Sequence, residues 1–234
     1  MAKNYFQFKQ FTVYQERCGL KVSTEACILG AYVKTGKAKS ILDIGAGTAL
    51  LSLMLAQRSQ ADIVAVEMDE MASQQAQENI TASPWSSITL FSSTIQNFTY
   101  QSKFDIIVTN PPFFDRHVKA RDTRKNQALH TDTLSFEDLL KAIKKHLSPL
   151  GKLWILLPPY PMQRFTDLAK TIKLHKEHLL FIHHSEQHPV LREIAVFSYS
   201  SATSFSAQTL YIRDQKGNYT PTFRDLLTPY YLIF

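Results

Sequence analysis

Apolar positions along the chain fall into short runs that alternate with stretches of helical period. Ser40–Ile44 (SILDI) predicts a buried strand, and Ala49–Gln57 the helix after it. Ile63–Val66 predicts a second strand, and Asp69–Ile80 a helix with Met71, Ala72, Ala76 and Ile80 on one face. Ile88–Phe91 and Phe104–Thr109 (FDIIVT) predict two further strands. Ser135 is placed to cap a helix over Phe136–Leu147, with Asp138 in the capping-box position and Pro149 and Gly151 as the stop. Lys152–Leu157 predicts a fifth strand, and Phe165, Leu168, Ala169 and Ile172 mark another helix. The rhythm then changes. Glu177–His184 and Arg192–Ser198 both predict strands, but a short polar link joins them, and a parallel pair would need a long crossover. These two strands are therefore expected to run antiparallel. Repeated β–α units ending in such a pair describe an α/β protein with a doubly wound sheet and one reversed strand. No internal repeat or linker divides residues 1–234, and the Tyr-, Phe- and Leu-rich stretch Leu210–Phe234 is expected to pack on the sheet. One domain is expected.

Composition narrows the class. A chain of 234 residues suits one large α/β core, and 44% hydrophobic with 20% charged residues excludes a disordered chain. No apolar run reaches bilayer length, and MAKNYFQFKQ lacks the apolar block of a signal peptide, so a cytoplasmic protein is expected. Two cysteines, Cys18 and Cys27, make no disulfide framework. His183, His184 and His188 come nearest to a metal set, but neighbouring residues of a strand face opposite sides, so no metal is expected. The net charge of +6 permits a polyanionic partner and equally suits an enzyme of small substrates.

Two turns carry the candidate chemistry. The chain holds only seven glycines, and Gly45 and Gly47 both fall in LDIGAGTA, where the first strand meets its helix. Glycine there lets backbone approach a ligand with no Cβ between them. In a doubly wound sheet the ligand crevice lies at the carboxyl ends of the strands. Glu67 ends the second strand, where its carboxylate can accept from both ribose hydroxyls of a nucleoside, and Met68 beside it can cover an adenine face. A nicotinamide site shares a glycine-rich turn and a distal acid. Here the third glycine is missing, and Asp43 would repel a pyrophosphate but attract the ammonium group of a methionine. A plain strand–helix turn with incidental glycines also stays open.

The second turn is Asn110-Pro111-Pro112-Phe113, delivered by the fourth strand to the same crevice. An exocyclic amine of adenine is a poor nucleophile, because its lone pair is delocalised into the ring. Accepting hydrogen bonds from both of its N–H groups draws the nitrogen toward tetrahedral geometry and frees that pair. The Asn110 side-chain oxygen and the Pro111 carbonyl can supply the two acceptors. The two prolines fix φ and hold the carbonyl rigid. Phe113 offers a flat face for an extruded base. Taken alone, Pro-Pro-aromatic can equally be a stiffened loop; downstream of Asp43–Gly47 and Glu67 it becomes specific.

On these residues the chain resembles class I methyltransferases of the Asn-Pro-Pro-aromatic type, and among them the bacterial tRNA adenine-N6 methyltransferases acting on valine tRNA. The likeness extends to Phe8–Val13 (FKQFTV), Lys21–Glu25 (KVSTE), Tyr219-Thr220 and Leu227–Tyr231 (LTPYY). It implies a Rossmann-like fold, with a seven-stranded, mostly parallel sheet, one antiparallel strand and helices on both faces. It further implies S-adenosylmethionine as cofactor, tRNA as partner, and methylation of adenine 37 beside the anticodon. Residues 1–35 would lie near the cofactor, with Lys21 and Thr24 by its methionine part, and residues 205–234 would pack on the domain. Ala49 stands where the family has a third glycine, Thr94 where an acid commonly holds the cofactor's adenine amine, and Leu129 where an arginine is common.

Arg116, Lys119, Arg121, Arg124 and Lys125 follow the second turn within DRHVKARDTRKNQ. They suit phosphate contacts, and equally a solvated loop. Within methyl transfer the competing substrates are an rRNA or DNA adenine and a protein glutamine, whose amide would fit the same pair of acceptors. Outside it stand an RNA-binding module with a relic cofactor pocket and an oxidoreductase.

Overall fold

The computed structural model of the protein describes residues 4–111, 134–200 and 205–234. A short hairpin, β1 (Tyr5–Gln7) and β2 (Thr12–Tyr14), leads into α1 (Thr24–Tyr32), which Ser23 caps through the Ala26 N–H. Next come β3 (Ser40–Ile44), α2 (Leu50–Ala56), β4 (Asp62–Glu67), α3 (Glu70–Thr81), β5 (Ile88–Ser92) and β6 (Phe104–Thr109). After residues 112–133 the described chain resumes with α4 (Phe136–His146), β7 (Leu147–Leu157), α5 (Pro159–Ala169), β8 (His175–His183), β9 (Val190–Ser198), β10 (Ser206–Tyr211) and α6 (Pro221–Leu227). Ser135 caps α4 as expected, and Asp69, expected inside the helix, is instead the cap of α3. Asp69 accepts from the Ala72 N–H at 2.7 Å, and Ser135 from the Asp138 N–H at 3.1 Å.

Beyond the hairpin, the described strands form one sheet in the order β10-β8-β9-β7-β6-β3-β4-β5, in which β9 alone is antiparallel to its neighbours. Both faces are covered, and the period of two decides which side chain goes where. Ile41 packs with Leu29 of α1, Leu53 of α2 and Ala76 of α3, whereas Leu42 and Ile44 pack with Leu139 of α4 and Phe165 of α5. Each such Leu, Ile or Phe side chain, fully buried, contributes roughly 1.5–3 kcal/mol. The same alternation turns Asp43 to the α2 side. From β3 the sheet grows one way through β4 and the other way through β6, so the order reverses there and a crevice opens at the carboxyl ends of these strands.

Three expectations change. The sheet has eight described strands where the resemblance implies seven. The extra one, β10, lies at an edge parallel to β8, and four of its six residues are exposed, so it leaves no apolar run to read. β7 starts at Leu147, so Pro149 and Gly151 lie inside the strand instead of stopping the helix; Leu147 pairs with Phe104 and Lys152 with Ile106, leaving 148–151 as an irregularity with Leu150 93% exposed. Met71 is half exposed, away from the buried face of α3. Both β1–β2 and α1 lack the longer periodicity that marks the other elements.

Close packing of α1 on α2 makes a testable point. A Cβ on Gly30 would come within 2.6 Å of Met54 Sδ and 3.1 Å of its Cβ. Met54 is fully buried and has little room to withdraw. Gly30→Ala is expected to cost about 1–3 kcal/mol by overpacking. In a chain of this size that lowers Tm by about 2–4 °C per kcal/mol, read by a thermal melt without ligand; an unchanged Tm would show that the Met54 thioether repacks freely.

Candidate active site

The crevice is built from four strand ends. At the end of β3, Gly45 and Gly47 take positive φ, 73° and 55°, and nothing stands within 4 Å of where a Cβ would sit on either. The turn is bare backbone facing open space. Ala49, at the position of the missing glycine, also has positive φ, 63°, so the left-handed turn is kept at the strain of one alanine.

β4 braces that turn. The Gly45 and Ala46 N–H groups both donate to Val66 O, at 2.9 and 3.1 Å. The buried Glu67 carboxylate accepts from the Gly47 N–H at 2.7 Å through Oε2 and from the Asp69 N–H at 2.8 Å through Oε1. A carboxylate has about four acceptor sites, so two remain for hydroxyl donors. Met68 follows, 47% exposed at the rim. Thr94 stands just beyond β5, where Ser93 N–H donates to Glu67 O at 2.9 Å; its own carbonyl accepts from Phe98 N–H at 3.0 Å.

Asp43 is placed differently from a simple ion-pairing group. It has no accessible surface, and its Oδ2 accepts from both the Ser52 hydroxyl at 2.7 Å and the Ser52 N–H at 3.2 Å. Oδ1 is buried with no partner among the described residues. Burial pushes the carboxyl up to about 7, against the Ser52 hydrogen bonds, and the charge of Glu67 adds a little more. The group thus lies behind the glycine turn, where its field but not its surface reaches the crevice.

At the end of β6, Asn110 is half-buried and Pro111 buried. The Thr109 hydroxyl donates to Ile44 O at 2.9 Å, tying the residue before Asn110 to the residue before Gly45. Pro112 and Phe113 lie outside the described residues, as do Arg116, Lys119, Arg121, Arg124, Lys125 and Leu129.

The segment before α1 forms the remaining wall. The Lys21 ammonium donates to Gln15 O, and the Val22 N–H to Gln15 Oε1 at 2.8 Å. This segment borders the acidic end of the crevice: the Cys18 thiol is pushed up to about 11, first by burial and then by the charges of Glu67 and Asp69, with Lys21 opposing. Thr24 opens α1, and its hydroxyl is engaged with Tyr231 near the C-terminus. The structure therefore brings Gly45, Gly47, Glu67, Met68, Thr94, Asn110 and Pro111 to one edge of the sheet, with Lys21 beside them, Asp43 behind and Thr24 turned to the C-terminal segment. Sequence reading missed Ser52 and Thr109, which hold Asp43 and Asn110 in place.

Comparison with known proteins decides the family. The model of the methyltransferase small domain matches residues 21–178. The chain belongs to that family. A tRNA1(Val) (adenine(37)-N6)-methyltransferase of Dyadobacter fermentans is 43% identical over the whole of both chains. Among solved structures, a predicted O-methyltransferase from Agrobacterium tumefaciens shares the methyltransferase fold at a TM-score of 0.66 and 17% identity, covering 87% of this chain and 95% of its own. So does M. jannaschii TYW2, solved in complex with AdoMet, at a TM-score of 0.57 and 11% identity over 82% and 83% of the two chains. Among the described residues of this methyltransferase, no helix is long and apolar enough to cross a membrane.

Proposed function

We propose that the protein transfers a methyl group from S-adenosylmethionine to N6 of an adenine in tRNA, adenine 37 beside the anticodon of valine tRNA. The observation that carries this reading is the Thr109–Ile44 hydrogen bond, which ties the residue before Asn110 to the residue before Gly45. The family and the substrate named for the Dyadobacter relative support the choice of RNA over DNA or protein. An enzyme of that substrate would act in the cytoplasm.

The residues present fit the cofactor. The turn at Gly45 and Gly47 leaves room for it, and the buried carboxyl of Asp43 behind the turn, once ionised, suits a cationic amino acid group. Glu67 would take the ribose hydroxyls on its remaining acceptor sites, Met68 one face of the adenine, Thr94 the adenine edge, and Lys21 with Thr24 the methionine end. When bound, the cofactor supplies an electrophilic methyl group on a positively charged sulfur. Asn110 Oδ1 and the Pro111 carbonyl each accept one N–H of the target amine, which localises the lone pair on nitrogen. Pro112 holds that carbonyl's geometry and Phe113 stacks on the extruded base. Orientation of amine and methyl group supplies much of the rate.

Nucleoside mass spectrometry on RNA from a strain lacking the gene tests the substrate. N6-methyladenosine is expected to vanish from valine tRNA and to return with the wild-type gene. Loss from rRNA, or from a protein glutamine, with tRNA unchanged, would leave the chemistry and overturn the substrate. The basic residues Arg116, Lys119, Arg121, Arg124 and Lys125 are proposed to grip tRNA phosphates. Replacing three of them by alanine is expected to weaken tRNA binding and to flatten its salt dependence by about one unit of log–log slope for each phosphate no longer neutralised. S-adenosylmethionine affinity is expected to stay the same. An unchanged slope would remove these residues from tRNA binding.

A further inference from the structure

Asn79 lies on the buried side of α3, 1% exposed, in a helix interior where asparagine is a weak former. Its side chain spends both donor hydrogens and its acceptor on partners distant in sequence. Oδ1 accepts from the Tyr14 N–H at 2.9 Å. Nδ2 donates to Tyr14 O at 2.9 Å and to Thr48 O at 3.0 Å. Asn79 thus grips Tyr14 as a strand neighbour would, and with its second N–H holds the turn that carries Gly45 and Gly47. Tyr14 leads directly into Gln15, whose side chain and carbonyl hold Val22 and Lys21. One amide therefore joins two walls of the crevice: the 14–24 segment and the glycine turn.

We propose that Asn79 is a positioning residue for cofactor binding, setting the 14–24 segment in register with the Gly45–Thr48 turn; the proposal rests on reading this crevice as the S-adenosylmethionine site. The chemistry demands this side chain. Aspartate has no hydrogen to give Tyr14 O or Thr48 O, so three acceptors would face one another. Alanine leaves two carbonyls and an N–H unpaired in a buried place. The damage falls on the alignment of the two walls, while Asn110 and Pro111 stand just after β6, away from it. The effect therefore belongs in cofactor affinity and not in the transfer step.

The test compares wild type with Asn79→Asp, Asn79→Ala and Glu78→Ala. The last removes an exposed ion pair, Arg17–Glu78 at 2.8 Å, that joins the same segment to the same helix. Calorimetry is expected to show S-adenosylmethionine affinity at least about tenfold weaker in both Asn79 variants and unchanged in Glu78→Ala. In steady state, KM for the cofactor is expected to rise by the same factor, with kcat at saturating cofactor and KM for tRNA held within about twofold. Unchanged cofactor affinity in folded Asn79 variants overturns the proposal, and so does a joint fall of kcat and rise of both KM values. A second measurement on wild type guards against variants that do not fold. On adding S-adenosylmethionine, hydrogen exchange at the Tyr14, Val22 and Gly47 amides is expected to slow together; slowing at Gly47 alone overturns the coupling. Wild type that binds no S-adenosylmethionine is a different result, which removes the cofactor reading itself.

Discussion

Asn110→Ala should lower kcat by about one hundred- to one thousand-fold, the loss typical of removing one preorganised hydrogen-bonding group that acts on the reacting centre. Two features make the effect this large. In the proposed mechanism the target amine gives its two N–H groups to Asn110 and Pro111, so without the Asn110 oxygen only the Pro111 carbonyl would remain to accept one of them, and the lone pair would stay delocalised. The strand end cannot adjust to compensate, because Thr109 is tied to Ile44 and Pro111 has a fixed φ. Cofactor affinity should stay near that of wild type, since the glycine turn, Glu67 and the 14–24 segment are held by bonds in which Asn110 takes no part. Single-turnover methylation of tRNA at saturating S-adenosylmethionine, with calorimetry on the same preparation, reads both quantities. Near-normal turnover in Asn110→Ala would mean that the amine is activated by something other than this acceptor pair.

The second large effect is expected from Asp43, and it appears as a dependence on pH. The folded carboxyl titrates near 7 and the unfolded one near 3.8. A folded-state value raised in this way means that the group's contribution to stability is complete below pH 3.8 and is lost as pH rises through about 7. Between those limits the folded chain binds up to one proton more than the unfolded chain. Stability should then fall by up to about 1.4 kcal/mol per pH unit from this residue alone. Asp43→Asn should remove that component, which urea unfolding at a series of pH values would reveal. The cofactor acts in the opposite sense. Its positive charge favours ionised Asp43, so wild-type affinity should rise with pH by up to about tenfold per unit below pH 7, with release of a proton on binding. Calorimetry in two buffers of different ionisation enthalpy counts that proton. Equal slopes in wild type and Asp43→Asn would show that another group titrates.

Much of this was legible in the sequence. The strands β3, β4, β5 and β6 and the helices α2, α3 and α4 follow from periods of two and of 3.6, because a chain that buries one face must repeat its apolar residues at the pitch of its own backbone. Ser135 is a local cap, contacting a residue three positions on, so short-range pattern suffices to find it. Gly45, Gly47, Glu67, Asn110 and Pro111 could be placed at one edge because each ends or follows a parallel strand, and parallel strands end on the same side.

Other features needed the tertiary structure. Thr109 meets Ile44, and Asn79 meets Tyr14, across 65 residues, through contacts that exist only once strand order and register are set. Local sequence is silent on them, since a threonine in a strand and an asparagine in a helix carry no mark of a distant partner. Asp43 reads from the sequence as a charge facing the ligand. Only the alternation of β3 against a packed α2 shows it turned inward onto Ser52, where desolvation raises its pKa. The edge strand β10 was hidden for the converse reason. Most of its side chains face water, and what holds it is backbone pairing with β8, to which side-chain pattern is blind. Sequence thus determined the elements and the chemistry at their ends. Long-range hydrogen bonding and burial decided how rigidly that chemistry is held and which of its charges are free.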